Sequence, residues 1–60
     1  MPLIPVATVT VTTFDGQYSR EFTVGDWEPE HRPYHLKDAH DWASWISEDP
    51  DVLRATIVVH

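Results

Sequence analysis

Sixty residues with ten Asp and Glu against four Lys and Arg carry a formal net charge of −6. A chain of this length hides about 60% of the surface its unfolded form exposes, so it has material for one thin core and one domain over 1–60. The absence of cysteine excludes disulfide staples, thiol catalysis and thiolate zinc sites, and the scattered basic residues Arg20, Arg32, Lys37 and Arg54 offer no track for a phosphate backbone or an anionic membrane.

The stretch Met1-Pro2-Leu3-Ile4-Pro5 has no basic region and no long apolar run. It is not a secretory signal, and a cytoplasmic protein is expected. Residues 7–13 then alternate with period two: Ala7, Val9 and Val11 on one face, Thr8, Thr10 and Thr12 on the other. Branched side chains at these spacings predict a strand. Asp15-Gly16 suits a type I′ hairpin turn, which predicts a second, antiparallel strand over 17–24. That turn sets Val11 opposite Arg20, Val9 opposite Phe22 and Ala7 opposite Val24. Arg20 then lies on the apolar face, its stem over Val11.

Residues 25–34 hold Gly25, Pro29 and Pro33 among charged groups and read as a ten-residue loop carrying Trp27. Next, Leu36, Ala39, Trp42, Ala43 and Ile46 recur at helical spacing. The helix is expected to start at Ala39 with Asp38 as its cap, or nearer Leu36, to fray over 47–49 and to stop at Pro50. A third strand follows over 52–59, with Leu53, Ala55, Ile57 and Val59 toward the helix and Arg54, Thr56 and Val58 away from it. The expected fold is α+β, in the order ββαβ. It has a three-stranded sheet of order 2-1-3, an antiparallel hairpin of the first two strands, and one helix packed on one face.

The other face, bearing Thr8, Thr10, Thr12, Ser19, Glu21, Thr23, Arg54, Thr56 and Val58, is then left to solvent. The third strand is an edge with few charges, which suits a homodimer paired through it.

The residues offer little for catalysis. The serines lack a nucleophile elbow, and two glycines make no phosphate loop. Paired carboxylates such as Glu28/Glu30 need a cleft that so small a fold has little room to build. No enzyme activity and no cofactor is expected. His31, His35 and His40 with Glu28 suggest a metal only by composition, because Pro33 interrupts the spacing, and no metal site is expected.

Binding is the stronger reading. Trp27 and Trp42 are expected to fill the core, while Trp45 falls on the flank of the helical stripe. Together with Tyr34, Asp38, Asp41, Asp49 and Trp27 it has the composition of an interface hot spot. The expectation is a small acidic protein-interaction module whose partner is another protein with a basic surface. Its sharper form is an inhibitor of a nucleic-acid-handling enzyme, like small acidic phage proteins in size and charge. The alternative is an assembly protein that self-associates through its C-terminal edge strand.

Overall fold

Alternation and helical spacing produce the expected elements in the computed structural model, which describes residues 2–60. Strands β1 (Leu3–Thr13) and β2 (Gly16–Gly25) form an antiparallel hairpin. A short 3-10 turn (Pro29–His31) leads into helix α1 (Arg32–Ile46), and strand β3 (Val52–Val59) closes the chain's sheet. The order is β2-β1-β3, with β1 antiparallel to both neighbours and α1 packed on one face. This is the α+β, ββαβ fold.

The hairpin register differs by two residues from the one Asp15-Gly16 suggests. Thr13 pairs with Gly16, Val11 with Tyr18, Val9 with Arg20 and Ala7 with Phe22. Phe14 and Asp15 therefore form the turn. The Thr13 hydroxyl accepts from the Asp15 N–H at 3.3 Å and donates to the Gly16 carbonyl at 3.1 Å. Gly16, at φ +151°, takes the backbone conformation that side-chain-bearing residues avoid. Glycine thus closes the turn instead of sitting inside it. A slip of two keeps every side chain on its expected face, whereas a slip of one would have inverted them.

β1 begins earlier than its alternating run. A bulge between Pro5 and Ala7 turns both Val6 and Ala7 inward, and both are fully buried. Past the bulge, the Asp26 N–H donates to the Pro2 carbonyl at 3.3 Å, so alternate residues there address β2. Pro5 faces the other way, beyond the end of β3, where its missing N–H leaves no ladder bond unmade.

The expected ten-residue loop is largely helical. Pro29 opens the 3-10 turn and Pro33 lies in the first turn of α1, where its absent N–H is an orphan donor in any case. The helix thus starts at Arg32, earlier than the apolar spacing alone implies. Only 26–28 remain as connection, held by the Glu28 N–H donating to the Gly25 carbonyl at 3.1 Å.

The core is built from small residues. Val6, Ala7, Val9, Val11, Val24 and Ala39 are buried, with Phe22 at their edge. Ala39 is the buried residue of α1, and its short side chain lets the helix backbone approach the sheet. Leu36, Trp42, Ala43 and Ile46 of α1 and Val52, Ala55 and Ile57 of β3 pack half-buried against this core. Leu53 was expected to face the helix. A second irregularity in the register, between Thr12 and Thr13 of β1, instead leaves it exposed and gives its place to Val52.

The face away from α1 carries three hydroxyl-rich rungs: Gln17-Thr12-Arg54, Ser19-Thr10-Thr56 and Glu21-Thr8-Val58. Side chains bond across them: the Thr10 and Ser19 hydroxyls at 3.1 Å, the Gln17 amide to the Thr12 hydroxyl at 3.2 Å, and the Thr8 hydroxyl with His60 Nε2 at 2.8 Å. No helix among the described residues is long and apolar enough to cross a membrane.

Candidate functional site

At about 100° per residue, Tyr34, Asp38, Asp41 and Trp45 fall on one stripe of α1. This stripe lies opposite Ala39 and Ala43 and points to solvent. Its two aromatic ends stand about 16 Å apart along the axis, at 1.5 Å per residue. Tyr34 is 69% exposed and Trp45 66% exposed. Sequence spacing places Trp45 on the flank of the apolar stripe. The helix carries it further round, clear of the core.

Two features order this stripe. The Lys37 ammonium donates to the Asp41 carboxylate at 2.6 Å, one turn along the helix. That hydrogen bond and the attraction of the Asp41 charge raise the Lys37 pKa above its ordinary value, and Asp38 adds to the effect. At the N-terminal end, the His31 ring meets Tyr34 edge-on, with ring centres 6.0 Å apart. His31 Nδ1 lies 3.0 Å from Glu28. Tyr34 is thereby braced from one side and open on the other.

At the C-terminal end of α1, an open cleft of about 270 Å³ is lined by Trp45, Ile46, Glu48, Asp49 and Pro50. Ile46 and Pro50 add apolar lining to that of the Trp45 indole. Asp49 is partly committed, since its carboxylate caps the Asp51 N–H at 2.9 Å and its carbonyl accepts from Val52 at 3.0 Å. The Glu48 N–H donates to the Trp45 carbonyl at 3.2 Å, and its carboxylate makes no hydrogen bond among the described residues. No basic residue lies in the last helical turn, so the negative end of the helix dipole adds to these two carboxylates.

Of the residues singled out from sequence, Tyr34, Asp38, Asp41 and Trp45 share a surface, and Asp49 borders it at the cleft. Trp27 stands apart. Its ring lies against the backbone of Gly25, so closely that a Cβ built there would come within 2.5 Å of it. Trp27 was expected to fold over the core, but it remains 55% exposed on this glycine shelf. Glu48, Ile46 and Pro50 complete the cleft without having been picked out as binding residues. In the sequence Ile46 reads as part of the core stripe and Pro50 as a helix stop, and neither says that the turn leaves a hollow beside an indole.

Arg20 has a role that sequence spacing did not disclose. Its guanidinium lies 4.7 Å from the centre of the Phe22 ring and 5.1 Å from that of Trp42. The two rings are themselves 6.1 Å apart, tilted at 55°. Arg20 therefore covers an aromatic pair at the edge of the core, opposite Val9 and not over Val11. This cation–π lid explains a charged residue on the apolar face.

Among the described residues, no three His, Asp or Glu side chains are grouped so as to hold a metal ion. No protein-family model matches the chain, and no curated protein or solved structure matches it.

Proposed function

We propose that this chain is a small protein-interaction module that binds a partner protein through the solvent-facing stripe of α1 and the cleft at its end. The observation that carries this reading is the placement of Tyr34 and Trp45. Both are largely exposed, on one line, with carboxylates between and beyond them. Large aromatics are the costliest side chains to leave in water and the most frequent anchors of protein interfaces. The surplus of acid around them favours a partner with a basic surface.

The arrangement supports aromatic anchoring over charge mimicry. An inhibitor that imitates nucleic acid needs a run of unpaired carboxylates to stand in for phosphates. Here Asp41 is paired with Lys37, Asp49 caps a turn, and aromatic rings occupy both ends of the line. Charge then steers the encounter while the indole and phenol rings hold it. Inhibition of a nucleic-acid-handling enzyme remains one way in which occupying a basic surface would act on a cell.

The test is retention of a partner from a lysate of the source cells by wild type and by Trp45→Ala, at low and at high salt. The expected result is one protein retained by wild type at both salts and lost from Trp45→Ala, which melts as wild type does. Retention that survives Trp45→Ala but vanishes in high salt would replace anchoring with charge mimicry.

A further inference from the structure

The open edge of β3 is a second surface, independent of the α1 stripe. The His60 N–H donates to the Val6 carbonyl at 2.9 Å. In an antiparallel ladder successive residues address opposite neighbours, so Thr56 and Val58 direct their peptide groups to β1. Ala55, Ile57 and Val59 direct theirs outward, where no strand meets them.

Edges of this kind are normally guarded by lysine, proline, inward charges or brevity. β3 spans eight residues with one charge, Arg54, and no proline. The other edge, β2, carries Arg20 and Glu21 and a glycine at each end. Beside the unguarded edge, Leu53, Val58 and Val59 are all about half exposed or more.

We propose that β3 pairs antiparallel with β3 of a second copy of this chain, about a two-fold axis through Thr56, giving one six-stranded sheet with both helices on the same face. Self-pairing keeps each face intact only if paired residue numbers share parity. Of the registers this allows, the one centred on Thr56 uses the regular part of β3, beyond the irregularity at Val52 and Leu53. It sets Ala55 opposite Ile57, both with outward peptide groups, and lays Val58 against the Arg54 stem. It also keeps the two Arg54 side chains four residues apart along the strand, about 13 Å at 3.3 Å per residue.

The charge distribution on α1 favours a second copy in particular. Trp42 leans toward Phe22 and Arg20 of β2, so the opposite flank of the helix, with His40, Ser44 and Ser47, leans toward β3. On α1 that flank is free of carboxylates, although each chain carries a net charge of −6. The acidic stripe stays outside.

The chain has no cysteine, so a single one is diagnostic. Thr56 faces its own copy in a pair about 4.5 Å apart between Cα atoms, within disulfide range. Light scattering at about 100 µM is expected to give twice the 6.9 kDa chain mass. Mild oxidation of Thr56→Cys should yield a covalent dimer in high yield, while Ser19→Cys on β2 should form no covalent dimer. Thr56→Lys, which opposes like charges across the axis on the solvent face, should halve the mass while the monomer remains folded. A wild-type monomer at that concentration overturns the proposal. So does a dimer that neither cross-links through Thr56→Cys nor dissociates in Thr56→Lys.

Discussion

Single residues decide where this chain departs from its simplest reading. Gly16 is one. Its φ of +151° closes the hairpin, and a built Cβ there meets no atom within 4 Å, so the demand is on the backbone alone. Gly16→Ala is expected to cost about 1–2 kcal/mol, read as a lower urea midpoint with an unchanged slope. Loss of less than a few tenths would show that the turn tolerates an ordinary residue. Arg20 is another. Removing the guanidinium from above Phe22 and Trp42 opens that pair to water, and Arg20→Ala should cost about 1 kcal/mol, with Arg20→Lys keeping part of it. An unchanged midpoint with an unchanged Trp42 emission would deny the contact any role. Neither residue's function was legible in the sequence. Alternation placed Arg20 on the apolar face but could not say which aromatic rings come within reach. The dipeptide Asp15-Gly16 marked the turn without revealing that it sits one residue back, on Phe14 and Asp15, where the Thr13 hydroxyl bonds it.

Among the elements, β3 and the β1–β2 hairpin were legible because period-two alternation survives a shift of two residues and because β-branched side chains suit only one local structure. The bulges were not. Val6 and Val52 are drawn inward, and Leu53 is turned out, by an extra residue that no pattern announces. The front of α1 was hidden for another reason. Pro29 and Pro33 look like loop punctuation, yet both sit where a helical turn needs no N–H. Within α1, the Lys37–Asp41 pair gives a pH prediction. Lys37 has a raised pKa in the folded chain, so its contribution is complete below its unfolded value and is lost as pH rises through the raised one. Both side chains are largely exposed, so the effect is small. Wild type should melt slightly above Asp41→Asn near neutrality, and the two should converge in strongly alkaline buffer. A gap that persists or widens there would mean that Asp41 acts through something other than the lysine.

At the scale of the whole molecule, the distribution of large side chains is the informative feature. The fully buried side chains larger than alanine are valines, while Tyr34 and Trp45 stand in water on one line of the helix. A thin core and exposed anchors make sense together if part of the apolar surface is meant for a partner. The helical periodicity showed which residues belong to the core stripe, and the leftover aromatics were visible as leftovers. That they align with Asp38 and Asp41, and that a cleft opens beside Trp45, depends on where α1 starts and how the chain turns at Pro50. The measurement that tests this account most directly uses Tyr34→Ala combined with Trp45→Ala, compared with wild type for thermal unfolding and for partner retention side by side. The expected result is a melting shift of no more than about 8 °C, as for a loss below about 1 kcal/mol in so small a domain, together with complete loss of the partner. A collapse of the fold, or a partner retained as strongly as by wild type, would contradict it.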